Sequence, residues 1–254
     1  MHELQIGIEA LSTSLLKKLQ KGTRAIQNLE VMRNCEELGI LNCSNLILYF
    51  PGSAEQDVTE TLHNLDFARP YRPLQPVKFW LGHGSPVWQN PQIYGIKSVF
   101  NHPNWSRLFP GKIFRRMDFM IQAYRGDLGL QKKLWQPVRK KLRLWQKSYD
   151  RLQQTGANSP ILSFRDGRDF MIIKERRLQA DPIRHRLVGT SRRIYLFCRR
   201  SRSLKQICSR FPTFAEDQIV SFLRMMVDKK LMFQEEDDYL SLAVSRKPDD
   251  PQRF

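Results

Sequence analysis

The first eighty residues alternate between two apolar periods. Ile6-Gly7-Ile8 reads as a short strand with a polar edge at Glu9. Ser12 is placed to cap a helix, and Leu15, Leu16 and Leu19 follow at helical spacing up to Lys21-Gly22. Thr23 is the expected cap of a second helix. Its buried face is Ile26, Leu29, Met32 or Arg33, and Leu38, and Gly39 closes it. Residues 40–50 form a continuous apolar run that Pro51-Gly52 turns. A helix is expected over 57–65, a Pro-rich loop over 69–76, a strand over 77–81 and a tight loop over 82–86. This β-loop-α rhythm is that of parallel α/β folds, which bind ligands at the carboxyl ends of their strands.

The pattern then changes. Residues 88–110 are irregular and hold Trp88, Tyr94, Phe100, Trp105 and Phe109. A stretch of this kind is either a functional lid or an aromatic cover for a sheet edge. Residues 112–154 are expected to be helical. Trp135, Val138, Leu142, Trp145, Tyr149 and Leu152 step by three and four, with Lys132, Lys133, Arg139, Lys140, Lys141, Arg143 and Lys147 between them. The apolar stripe is expected to pack within the chain. A linker at 154–160 precedes a hairpin of 161–164 and 170–173 with Asp166-Gly167 in its turn. Residues 179–186 read as a loop. Helices over 191–199, 204–211 and 214–230 precede strands at 231–233 and 239–244, joined by the acidic run 235–238. Three helices and a ribbon make a winged-helix-like pattern, and 246–254 is a polar tail.

Composition narrows the function classes. The chain of 254 residues is 41% hydrophobic, which is globular, with no apolar run long enough for a membrane span and no signal-peptide pattern at its start. The expected location is the cytoplasm. A formal charge of +17 favours anionic partners, although it also fits a merely soluble basic surface. Cys35, Cys43, Cys198 and Cys208 show no metal-ligand spacing and read as structural thiols. Walker, zincin and hydrolase motifs are absent from the sequence.

The run Gly7-Ile8-Glu9-Ala10, the helix end Lys21-Gly22 and the strand from Asn45 to Pro51-Gly52 follow one another in an order that resembles the later half of a radical SAM barrel. The family is that of cobalamin-dependent enzymes that mature ribosomally made peptides, and the likeness runs over about 5–110. Tyr49 stands where that family tends to have glycine and Ser53 where it tends to have glutamate. The resemblance implies S-adenosylmethionine, a 4Fe-4S cluster and cobalamin as cofactors. It places Gly7, Glu9, Ser12, Asn45 and Ser85 as cofactor-binding residues, with His83 as a neighbouring proton-transfer candidate. Residue by residue, Glu9 equally ends a strand, Ser12 equally caps a helix, and His83 equally sits in solvent.

The expected fold is α/β. A partial radical SAM barrel (1–110) leads into a basic helical segment (111–156), then a hairpin and winged-helix-like module (157–254). The cluster's Cys-x3-Cys-x2-Cys loop is absent, so the resemblance implies a portion of a methyl-transferring enzyme that depends on an N-terminal radical SAM/cobalamin subunit. The alternatives are a non-catalytic peptide- or protein-binding module and a winged-helix nucleic-acid-binding protein. Nucleic acid is the least expected partner, because residues 216–217 and 235–238 are acidic. A peptide substrate is the more expected one. A half barrel also exposes strand edges, which predicts oligomerisation or poor solubility.

Overall fold

The computed structural model describes residues 3–155 and 159–246. The centre of the expected linker and nearly all of the polar tail lie outside the described residues.

Strand β1 (Glu3–Leu4) leads through α1 (Thr13–Lys18) and α2 (Ala25–Leu38) to β2 (Leu41–Asn42), which pairs with it in parallel. A parallel bridge between Glu9 and Leu46 continues that pairing. Strand β3 (Asn45–Leu48) is followed by α3 (Glu55–Ala68) and β4 (Gln75–Lys78), and β3 and β4 are parallel too. Three stretches of chain thus lie side by side with helices between them. No sheet among the described residues closes into a barrel.

Local chemistry explains where the expected elements shift. The run 40–50 is broken rather than continuous. Asn42 Oδ1 accepts from the Ser44 amide at 3.1 Å and from its hydroxyl, while Ser44 Oγ accepts from the Ile6 amide at 3.1 Å. A side chain that satisfies nearby backbone in this way competes with the ladder. The cap of α2 is Arg24, not Thr23. Its first amides are satisfied from afar: Ala25 N donates to Thr13 Oγ1 at 2.8 Å and Ile26 N to Glu235 Oε2 at 2.8 Å. Ile26, Leu29, Met32 and Arg33 are buried, but Leu38 is 70% exposed. Twelve residues on from Ile26, Leu38 points about 120° away from it. Gly39 ends α2 at φ +69°.

Beyond β4 come β5 (Leu81–Gly82), α4 (Pro86–Gln89), a 3-10 turn (Pro91–Tyr94), β6 (Ser98–Asn101), a second 3-10 turn (Pro103–Arg107) and α5 (Gly111–Phe114). Strand β7 (Ile121–Arg125) then lies antiparallel between β5 and β6. This corrects the expectation of helix from 112 onward. Residues 121–125 have two waiting edges, and pairing overrides helix propensity. Gly126 follows at a close approach, where an added Cβ would lie 3.0 Å from the Gly95 carbonyl oxygen.

Helices α6 (Leu128–Leu134) and α7 (Gln136–Thr155) carry the tryptophan seam. Trp135, Val138, Leu142, Trp145 and Leu152 are buried, and α7 packs on α3. Trp145 Nε1 donates to the carbonyls of Arg69 and Tyr71, both at 3.2 Å, and Lys141 Nζ lies 2.7 Å from Asp66.

Strands β8 (Leu162–Asp166), β9 (Phe170–Arg177) and β10 (Ala180–Val188) form an antiparallel meander. Residues 180–186 are therefore strand, not loop, with an irregularity between Ala180 and Ile183 around Pro182. Helix α8 (Gly189–Phe197), β11 (Arg202–Ser203), α9 (Leu204–Arg210), α10 (Glu216–Asp228), β12 (Met232–Glu235) and β13 (Asp238–Ser241) follow, with sheet order β11-β13-β12. A last strand, β14 (Val244–Ser245), pairs in parallel with β8.

The two ends of the chain share one core. Arg33, 2% exposed, donates from Nη1 to Ser241 O at 2.9 Å, and Tyr71 Oη donates to Leu242 O at 2.7 Å. The rings of Phe67 and Phe233 meet edge-on at 5.0 Å. No helix among the described residues is long and apolar enough to cross a membrane.

Candidate functional site

The resemblance directs attention to the carboxyl ends of the parallel strands. Glu9 lies there at φ +57°; its carbonyl accepts from Ile47 N at 2.8 Å and its carboxylate is 3.4 Å from Lys21 Nζ. Gly7 is exposed, and an added Cβ would make only ordinary contacts with Lys21 and Glu9, so space alone does not demand glycine. Ser12 is fully buried. Its hydroxyl accepts from Leu15 N at 3.1 Å and donates to Glu60 Oε2 at 2.8 Å, while Glu60 Oε1 takes the Thr13 amide at 2.6 Å. Ser12 therefore serves the start of α1, together with a carboxylate from α3. Asn45 opens β3 opposite Gln75, away from that strand's carboxyl end. Ser85 caps α4, accepting from Trp88 N at 3.2 Å, and His83 is exposed beside the Trp88 ring. The structure brings Gly7 and Glu9 together at one strand end. It leaves Ser12, Asn45 and Ser85 in separate local roles.

Two clefts lie against β3 and β4, and none of those five residues lines either. The first, of about 440 Å3, opens at the carboxyl ends of β3 and β4. Tyr49, Phe79, Trp80, Trp105 and Tyr124 wall it, with Lys78, Lys132 and His102 among its polar lining. Trp80 is 69% exposed and Leu108, at the same cleft, 70%. Trp105 is fixed by donation from Nε1 to Ile121 O at 2.9 Å and by stacking on Phe119. Burial raises the Tyr124 phenol to about 12, helped by Asp127, so it stays a neutral donor at physiological pH. The second cleft, of about 580 Å3, runs between β4 and α7, lined by Lys78, Arg139, Arg143 and Gln146 over Leu48 and Leu142.

Tyr49 borders both clefts at φ +63°. That backbone region favours glycine, the residue the resembled family tends to carry there. Here a buried aromatic ring fills the space instead.

The four thiols do not converge on one shared site. Burial raises the Cys35 and Cys208 thiols and pushes Cys198 up to about 12. Among the described residues no three His, Cys, Asp or Glu side chains are placed to hold a metal ion.

Sequence reasoning missed Lys78 and Trp80, which sit in an unremarkable apolar run. It marked Trp105 only as part of an aromatic stretch, and Arg139 and Arg143 only as part of a basic helix face. Trp80 and Trp105 meet because the segment after β4 folds over its carboxyl end, and Arg139 and Arg143 reach Lys78 because α7 runs beside β4. No protein-family model matches the sequence, and no curated protein matches it.

Proposed function

We propose that the chain holds a peptide substrate, as the later portion of a radical SAM-type barrel. The parallel succession β1–β2, β3 and β4, with helices between, supports that architecture, as do the residues of the resemblance quoted above. The single observation that carries the binding reading is the aromatic cleft at the carboxyl ends of β3 and β4, where folds of this kind bind ligands. Exposed Trp80 and Leu108 give it an apolar rim, and Lys78 and Lys132 give it positive charge. This chain's own residues bind and orient.

The test is titration of the full chain with short phenylalanine-containing peptides, read by tryptophan fluorescence. These peptides are expected to bind, and Trp80→Ala is expected to weaken binding about tenfold, as for an aromatic contact at a rim. Equal binding of alanine-only peptides, or no change on Trp80→Ala, sinks the reading.

The C-terminal part supports a second reading. The sheet order β11-β13-β12, with α8, α9 and α10 beside it, fits the winged-helix-like pattern expected from the sequence. The acidic wing turn is engaged by the N-terminal part: Arg24 pairs with Asp238 and approaches Glu236 at 3.6 Å. The exposed face of α10 carries Glu216, Asp217, Arg224 and Asp228. Those charges favour a protein-contact role over a phosphate-binding one. A steeply salt-dependent affinity for duplex DNA would overturn that preference.

A further inference from the structure

We propose that the groove between β4 and α7 takes an extended acidic peptide segment as an added strand. This rests on the peptide-holding reading above and assigns the segment a separate seat. Gln75 N donates to Ser44 O at 3.0 Å and Phe79 N to Leu48 O at 2.9 Å. Residues 75, 77 and 79 therefore turn towards β3, and the strand period of two turns Pro76 and Lys78 away from it. On that side β4 has no strand partner among the described residues. Its outward groups are the Lys78 amide and the carbonyls of Pro76 and Lys78, enough for a short ladder.

The opposite wall sets the partner's charge. Arg139 and Arg143 are exposed on α7, and neither they nor Lys78 has a carboxylate within ion-pair distance among the described residues. No lining residue is acidic, and the floor at Leu48 and Leu142 is apolar. A strand with carboxylates towards the groove's cations and an apolar face towards its floor is complementary on both counts. A second copy of this β4 is not, because its own Lys78 would meet three cations and its Pro76 could not donate.

The experiment is fluorescence anisotropy of the full chain with a labelled peptide of alternating valine and glutamate. Binding is expected to weaken as salt rises. Arg139→Glu with Arg143→Glu is expected to reduce affinity at least tenfold, with the thermal melt showing that the double variant remains folded. Lys78→Pro, which removes the outward amide, should bind about fivefold more weakly than Lys78→Gln. An alternating proline–glutamate peptide cannot form the ladder and should bind poorly. Equal binding of that peptide, preferential binding of heparin, or indifference to the double charge reversal overturns the proposal. If the reversal has no effect while Trp80→Ala still weakens phenylalanine peptides, the groove fails and the aromatic cleft stands. If neither variant changes anything, both fail.

Discussion

Glu235 belongs to β12 near the end of the chain, yet it finishes the start of α2 near its beginning. Its carboxylate accepts from Ile26 N at 2.8 Å and from the Thr13 hydroxyl, which itself accepts from Ala25 N. Glu235→Ala strands a helix-terminal amide and a hydroxyl in a half-buried site. Each hydrogen bond to a charged acceptor contributes about 1.5–3 kcal/mol, and the helix dipole adds about 0.5 kcal/mol. Allowing for partial water access, the expected loss is about 3 kcal/mol. In a domain of this size that lowers Tm by roughly 6–12 °C. Glu235→Gln keeps a neutral acceptor and should lose about half as much. Urea unfolding followed by circular dichroism reads the difference, with the slope unchanged if only the native state is affected. Thr13→Ala combined with Glu235→Ala should lose less than the sum of the two, because the residues share one network. A Glu235→Ala loss below about 0.5 kcal/mol would refute the idea that the two ends of the chain are joined through this carboxylate.

Three further outcomes are expected. Burial raises Glu36 to about 7, despite opposing contributions from Arg72 and Tyr149, so the folded state keeps a proton that the unfolded chain releases near 4.5. Stability should then fall as pH rises from about 4.5 to 7 and level off above. Glu36→Gln should flatten that slope and gain up to about 3 kcal/mol at pH 8 in urea titrations. Arg33→Ala should cost about 3 kcal/mol, because it leaves the Ser241 carbonyl unpaired in a space the side chain had filled, and Arg33→Met should cost less; thermal melts compare them. Buried Cys35 and Cys198 should react with a disulfide reagent only after unfolding, while half-buried Cys43 reacts in the native protein; mass spectrometry of labelled peptides distinguishes them.

Much of the first half was legible because its signals are local. Ser12 caps α1, Gly39 stops α2, and the tryptophan seam lies buried along α7, as spacing alone predicts. The misses are long-range. Residues 121–125 and 180–186 become strands because neighbouring edges wait for them, which no window of sequence displays. Thr23 lost its capping role because Thr13 and Glu235 reach the start of α2 from elsewhere. The clefts were less legible. Gly7 and Glu9 lie together at a strand end but line neither cleft; Lys78 and Trp80 meet Trp105 beyond the carboxyl ends of β3 and β4, while Arg139 and Arg143 reach Lys78 because α7 runs beside β4.

The bond from Glu235 to Ile26 also bears on how the chain matures during synthesis. The carboxylate that completes the second helix is added more than two hundred residues after the first turn of that helix is made. Until then the first turn of α2 must rely on water, and the parts of the core cannot lock cooperatively. Closure of this core should therefore lag behind synthesis of α2 by the time taken to add residues 39–235. Pauses in translation between those positions should lengthen the window in which the nascent chain is open to proteases.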